Sequence, residues 1–307
     1  MKKIAMYWGA GCGGCDVSLL GIHEKLLDLL NEIEIVFWPC ATDFKYEDLE
    51  KMEDGSIDIA FYNGAIRTEE NEEIAKLLRK KAKILVAYGS CAIEGCVIGL
   101  ANLYEREQIF DTVYLNNETT KNEKKIIPKS NGLPEFLPYL KSLNQVVKVD
   151  AFIPGCPPVK PVLEEALNAL LQGKTKFGKS IALCDECPRK DTKPEKIEIP
   201  RFYRWHEKED NGECFLAQGI ICMGPATLAG CKGECISANI PCTGCMGALP
   251  KVKNQGIAMI SAIASLIAEE NEEAEKKIIE SIDDLIGTFY KYSTAKLLPK
   301  GRLKDEN

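Results

Sequence analysis

The stretch Lys2-Lys3-Ile4-Ala5-Met6-Tyr7-Trp8-Gly9-Ala10-Gly11-Cys12-Gly13-Gly14-Cys15-Asp16 decides the fold. It opens with a short apolar run, Ile4–Trp8, and breaks into a glycine-rich turn, the pattern of a strand entering a loop. Similar strand-like runs lie at Ile33–Trp38, Ile57–Tyr62, Ile84–Tyr88 and Val146–Ile153. Helical patterns fall around them, at about 16–30, 43–53, 69–80 and 159–171. The last has Pro158 and Pro161 near its start, an apolar stripe of Val162, Ala166, Leu167 and Leu170, and Gly173 just past its end, which is where those residues belong in a helix.

Parallel strands need crossover connections, so this alternation implies an α/β domain: a parallel sheet with helices on both faces. Five strands fit a flavodoxin-like doubly wound sheet. Residues 92–145 are too long for a simple crossover, and their polar middle, Asn116–Lys129, is expected to be a surface excursion. The pattern then changes. Between Cys184 and Cys245 lie eight cysteines in 62 residues, with many Gly and Pro and no periodic helix or strand. Such a segment is poor in core-forming periodicity, and metal binding would supply the missing folding energy. Residues from Ala258 to about Tyr292 read as a C-terminal helix, apolar first and then charged over Glu269–Lys277, a solvated face. The expected division is 1–175, a flavodoxin-like domain, and 176–307, an irregular cysteine-rich domain with that helix.

The chain has 307 residues, 45% apolar and 28% charged, so it is globular and long enough for two domains. A net charge of −7 gives no reason to expect nucleic acid as a partner. The start, MKKIAMYW, has no cleavable apolar leader. The longest uncharged apolar run, Gly256–Ala268, is too short to span a bilayer. No membrane partner and a reducing, cytoplasmic location are therefore expected. There, clustered thiols among fourteen cysteines read as metal ligands rather than disulfides.

Cys12 and Cys15 follow the first strand, Cys91 the fourth and Cys156 the fifth. Ligand sites of open parallel sheets form at the carboxyl ends of strands, so three loops bring four thiols to one edge. Four thiolates are what one cubane [4Fe–4S] cluster requires. A thioredoxin-type pair or half a zinc site accounts for Cys12 and Cys15 alone, but not for Cys91 and Cys156. Gly9-Ala10-Gly11-Cys12-Gly13-Gly14 also matches a dinucleotide-binding fingerprint. The confirming acid is missing, because the second strand ends Phe37-Trp38-Pro39-Cys40. The later set is Cys184, Cys187, Cys214, Cys222, Cys231, Cys235, Cys242 and Cys245. Eight thiols make two cubanes or two zinc sites; the four cysteines between the terminal Cys-x-x-Cys pairs favour clusters. Cys40 reads as a buried core thiol and Cys96 as a packing thiol, and His23 and His206 as structural or solvent-facing.

These motifs together resemble the small subunit of nickel–iron hydrogenases: Gly11-Cys12-Gly13-Gly14-Cys15-Asp16, Gly89-Ser90-Cys91-Ala92, Pro154-Gly155-Cys156-Pro157-Pro158, Cys184-Asp185-Glu186-Cys187-Pro188-Arg189, Met223-Gly224-Pro225 and Pro241-Cys242-Thr243-Gly244-Cys245. The resemblance runs from residue 1 to about 250. Within the family it is nearest the gamma subunit of the cytoplasmic, methyl-viologen-reducing (deazaflavin-non-reducing) enzymes of methanogens.

What the resemblance implies is specific. Cys12, Cys15, Cys91 and Cys156 would hold a proximal cluster. Cys184, Cys187, Cys214 and Cys222 would hold a distal one, and Cys231, Cys235, Cys242 and Cys245 a medial one, giving three [4Fe–4S] clusters. Many members have His at the place of Cys184 and Pro at the place of Cys235, so both clusters here are expected to be all-cysteine cubanes. The implied partners are a nickel–iron large subunit, where dihydrogen is cleaved, and a further electron-accepting subunit linked to heterodisulfide reductase. This chain lacks the large subunit's paired Cys-x-x-Cys ligands, so it is expected to pass electrons and not to be catalytic alone. The rivals are a deazaflavin-reducing or sulfhydrogenase-type small subunit and a zinc-stabilised scaffold.

Overall fold

The computed structural model describes residues 1–119, 121–267 and 272–297. Among them the strands are β1 (Lys2–Trp8), β2 (Ile33–Phe37), β3 (Ile57–Asn63), β4 (Ile66–Thr68), β5 (Ala82–Tyr88), β6 (Phe136–Lys141) and β7 (Ala151–Ile153). Five of them form one parallel sheet in the order β2-β1-β3-β5-β7. Numbered among themselves, these strands run 2-1-3-4-5, the doubly wound order in which direction reverses beside β1. That switch point is where Cys12 and Cys15 leave the sheet. Interior residues such as Ala5, Ile57, Ala60, Leu85 and Ala87 are sealed from solvent, as parallel strands covered on both faces must be.

The helices of this unit are α1 (Gly14–Leu20), α2 (Glu24–Leu30), α3 (Tyr46–Lys51), α4 (Glu69–Lys81), α5 (Ser90–Glu94), α6 (Arg106–Phe110) and α7 (Lys160–Leu171). α4 shows why the sequence folds as it does. Thr68 caps it by accepting from Asn71 N, its first turn is acidic and its last turn is basic. Cap and dipole contribute about 1 kcal/mol each at most. The larger contribution is burial of Ile74, Ala75 and Leu78 in the core that contains Ile57 and Leu85, at roughly 1.5–3 kcal/mol per large side chain.

Three expectations for the elements of this unit needed changing. The helix expected over 16–30 is broken between α1 and α2, where His23 takes φ 56°. The turn buries Ile22 and leaves Val17, Leu20 and Leu27 exposed. The last strand begins at Ala151, not Val146; just before it Asp150 meets β5 with backbone and side chain together, its N donating to Leu85 O (2.9 Å) and its Oδ2 accepting from Leu85 N (2.9 Å) and from Arg79. Finally, the excursion after residue 92 returns as β6, which pairs antiparallel with β4. The described residues 116–119 and 121–129 are largely exposed, as expected.

The described residues divide into two compact units, one comprising Met1–Lys176 and Ser293–Leu297, the other Phe177–Tyr292. The described residues Ser293–Leu297, expected in the second domain, thus belong to the first. In the second unit the short helix α8 (Glu234–Ser237) lies within the cysteine-rich stretch. α9 (Gln255–Leu266), α10 (Glu272–Glu280) and α11 (Leu285–Phe289) replace the single helix expected over 258–292. Residues 269–271 of its charged part, and Ala268 before them, lie outside the described residues. α12 (Thr294–Leu297) belongs to the first unit. The cysteine-rich stretch is not coreless. Phe202, Phe215, Leu216, Ile220, Met223 and Ile236 pack with Met259 and Ile263 of α9, a cluster drawn from positions with no common period.

Candidate metal centres

The loops after β1, β3, β5 and β7 are tied together by backbone bonds. Gly9 N donates to Asn63 O, Ala10 N to Ala65 O, Gly89 N to Ile153 O and Ser90 N to Gly155 O, all at 2.8–2.9 Å. They bring Cys12, Cys15, Cys91 and Cys156 around one concavity of about 290 Å³, with Gly11, Gly13, Gly14, Asn63, Gly64 and Gly155 in its walls. Cys15 is held from behind, since its carbonyl accepts from Ser18 Oγ (2.9 Å) and Tyr88 Oη (2.8 Å). Asp16 anchors the same turn by accepting from Trp38 Nε1 and Asn63 Nδ2, both at 2.9 Å. Glycine is a steric requirement at Gly89. Its φ is +82°, and a Cβ there would lie 2.3 Å from Cys15 Sγ.

The charges show the four thiols acting on one another. Burial pushes the Cys15 thiol well up, and Cys91, Cys156, Asp16 and Cys12 push it further. Four such thiols cannot all ionise side by side unless a cation joins them, so the donor set, the glycine cradle and the space fit a cluster. Cys96 joins this group. It is buried as expected, yet its Sγ lies 3.4 Å from Cys156 Sγ. Its hydrogen bonds hold the Cys91 thiol below its ordinary value and bring Cys156 down to about 7.

In the second unit Cys184, Cys187, Cys214 and Cys222 line a cavity of about 320 Å³ with Leu183, Arg189, Phe215 and Gly224. Burial pushes Cys184 up to about 12, with Cys222, Cys214 and Cys187 contributing. Arg189 spans the rim: it lies 4.2 Å over the Phe215 ring and donates to both carboxylate oxygens of Asp210 (2.7 and 2.6 Å). The remaining four thiols come together as two pairs. Burial pushes the Cys231 and Cys242 thiols up; nearby Cys235 adds to the first, and Cys222 and then Cys245 add to the second. Glu186 Oε1 accepts from Gly230 N (2.5 Å) and Lys232 N (2.7 Å), fixing the approach to Cys231.

A repeated local device runs through all the sets. The N–H two residues on donates to the cysteine sulfur: Gly14 to Cys12 and Arg189 to Cys187 at 3.4 Å, and likewise Gly224 to Cys222, Gly233 to Cys231 and Gly244 to Cys242. Such donors stabilise thiolates. Its signal in the sequence is Cys-x-Gly, plain at Cys12, Cys222, Cys231 and Cys242 but absent at Cys187, where Arg189 donates. The roles of Glu186 and Cys96 were not legible in the sequence.

Cys40 requires a correction: expected in the core, it is exposed. β2 ends at Phe37, and a turn closed by Ala41 N to Trp38 O (3.0 Å) carries Cys40 outward. His23 and His206 are exposed, as expected. Among the described residues, no three His, Cys, Asp or Glu converge closely enough to hold a single ion; the thiols line spaces rather than points. Among the described residues, no helix is long and apolar enough to cross a membrane.

A family model described as NADH ubiquinone oxidoreductase, 20 Kd subunit, matches residues 12–170, so the class is that of a subunit of a redox complex. An F420-non-reducing hydrogenase subunit of Methanothermobacter marburgensis is 38% identical over 308 residues, covering 99% of this chain and 98% of that protein. An F420-non-reducing hydrogenase iron-sulfur subunit of Archaeoglobus profundus is 38% identical over 310 residues, 95% of each. In a solved structure of an NAD+-reducing nickel–iron hydrogenase, one chain is 32% identical, with a TM-score of 0.52 over 58% of this chain and 96% of that chain. The chain belongs to this family of hydrogenase subunits and is a component of an oxidoreductase complex. The relatives carry a different label from the gamma that the sequence resemblance suggested, for the same family.

Proposed function

We propose that the chain is the electron-transfer, small subunit of a nickel–iron hydrogenase, holding three [4Fe–4S] clusters on twelve cysteines. The observation that carries this reading is the first site: four thiols from three strand ends line one cavity, and Gly89 leaves room for Cys15 where any side chain would collide with it. The second cavity, on Cys184, Cys187, Cys214 and Cys222, repeats the arrangement. The two remaining pairs, Cys231 with Cys235 and Cys242 with Cys245, make the third set. Clusters bound at these sites would accept and release single electrons.

This chain's own residues would bind, orient and insulate. Backbone N–H groups from Gly14, Arg189, Gly224, Gly233 and Gly244 meet the sulfurs, and apolar side chains such as Leu183, Phe215 and Leu216 exclude water from the second cavity. Cys12 and Cys156 are exposed at the first cavity. That open edge suits coverage by a catalytic large subunit, through an obligate interface of about 2,000 Å² or more. The electron acceptor would be a further redox subunit, with the heterodisulfide reductase system as the candidate. Anaerobically purified protein should contain about twelve iron and twelve sulfide per chain, as three cubanes require. Zinc as the main metal would overturn the reading.

A further inference from the structure

Among the described residues Arg67 is a buried cation without an anion. The residue, in β4, is 7% exposed, and its Nη1 and Nη2 are buried with no hydrogen-bond partner. Its guanidinium carbon lies 5.2 Å from the Phe136 ring centroid, a contact that offsets part of the desolvation but offers no acceptor. Burial works against its charge, and Arg106 adds to that. A guanidinium does not shed its proton to escape this cost. What relieves it is a group that fills the planar fork, a carboxylate or a phosphate.

The surroundings say which. Arg67 lines a cleft of about 960 Å³, open to solvent, whose walls include Cys12, Val97, Phe136 and Leu140. Val97 and Phe136 stand 44% and 36% exposed. The cleft shares Gly11 and Cys12 with the first thiol cavity, so it opens at the edge a catalytic subunit would cover. A soluble anion in an open cleft keeps most of its hydration and gains little. A carboxylate delivered with a covering surface is dehydrated together with the apolar walls, and there the ion pair is strong.

We propose that this cleft receives a carboxylate side chain of the catalytic partner subunit, clamped by the Arg67 guanidinium while Val97 and Phe136 are covered. The proposal rests on the reading that such a subunit covers this edge.

The test is assembly of the complete, cluster-loaded chain with the large subunit, for wild type, Arg67→Met and Arg67→Lys, alongside melting of the free chain. Arg67→Met should weaken assembly by about thirtyfold or more, leave the iron content unchanged, and leave the free chain as stable or more so. Arg67→Lys keeps the charge but loses the fork, and should fall between. If Arg67→Met assembles as tightly as wild type, this proposal is overturned and the functional reading stands. If wild type itself never binds a large subunit, both fall. An Arg67-dependent rise in free-chain melting temperature with acetate or phosphate, together with unchanged assembly, would put a soluble anion in the cleft and also overturn the proposal. So would a free chain that melts lower in both variants and in proportion to lost assembly, since Arg67 would then be a structural residue.

Discussion

Cys96 Sγ lies 3.4 Å from Cys156 Sγ, a fifth thiol placed beside the four at the sheet edge. Cys96 is 1% exposed and its backbone takes φ 54°, a conformation that costs a non-glycine residue free energy. As a thiol it donates a hydrogen bond toward a sulfur that would be a thiolate with a cluster bound, and such bonds raise cluster potentials.

Cys96→Ala should therefore keep the full iron content and lower the potential of the cluster on Cys12, Cys15, Cys91 and Cys156. A bond worth about 1 kcal/mol corresponds to roughly 40 mV for one electron. A redox titration followed by electron paramagnetic resonance reads it. If a third of the iron is lost instead, Cys96 is a ligand; if the potential stays put, its contact is packing alone.

Gly89→Ala tests the cradle. The added Cβ would meet Cys15 Sγ at 2.3 Å, and the φ of +82° costs about 1–2 kcal/mol more for any L-residue. We expect iron to fall from about twelve to about eight per chain, with the clusters of the second unit retained. Gly55→Ala is the control, because Gly55 also has positive φ, +71°, but nothing within 4 Å of the added atom. Iron counts that fall equally in both variants would mean that backbone strain, not contact with Cys15, empties the site.

The relation of sequence to structure divides along physical lines. The parallel strands were legible because a strand sealed on both faces is a nearly unbroken apolar run, as Ile59–Tyr62 is within β3. The four thiols of the first site followed, since their positions after strands β1, β5 and β7 depend only on topology. The break at Gly21–His23 was not legible, because no proline marks it: His23 takes a positive φ of 56° and Ile22 is buried beside it. Nor was the second unit's core: Phe202, Phe215 and Met259 share no period and meet only through the turns between cysteines. Cys40 misled because exposure is decided by the turn after Trp38, and composition alone favours burying a thiol.

Acid should loosen the rim of the second cavity. Its hydrogen bonds with Arg189 hold the Asp210 carboxyl well below its ordinary value. A carboxylate lowered on folding adds stability that is complete above its unfolded value, about 3.9, and is lost as pH falls through the folded one. Asp210→Asn should thus cost about 1 kcal/mol or less, the scale of an exposed ion pair, at any pH above about 5. The gap between wild type and variant should close progressively below about pH 4. Thermal melts of the loaded protein across that range check it; a gap that is constant down to pH 3 would assign the loss to packing rather than charge.

Cys235 offers the sharpest test of the third set. It is exposed, sits at the second position of α8 after Gly233, and acts electrostatically on Cys231. Backbone N–H groups in the first turn of a helix have no partner within it, so proline is tolerated there. Cys235→Pro therefore removes one thiolate while leaving the helix its start. If Cys235 is the fourth ligand, the cluster it shares with Cys231, Cys242 and Cys245 should become a three-iron cluster with a higher potential, since cluster type and charge both set that potential. The iron count should drop by about one per chain, and a three-iron signal should appear in electron paramagnetic resonance of the oxidised protein. Cys184, Cys187, Cys214 and Cys222 keep their own cavity, so their signal should persist. The competing possibility is that Cys235 is a spare surface thiol beside a cluster already held by three cysteines. In that case wild type would itself show a stoichiometric three-iron signal, the substitution would leave it unchanged, and the assignment of Cys235 would fall.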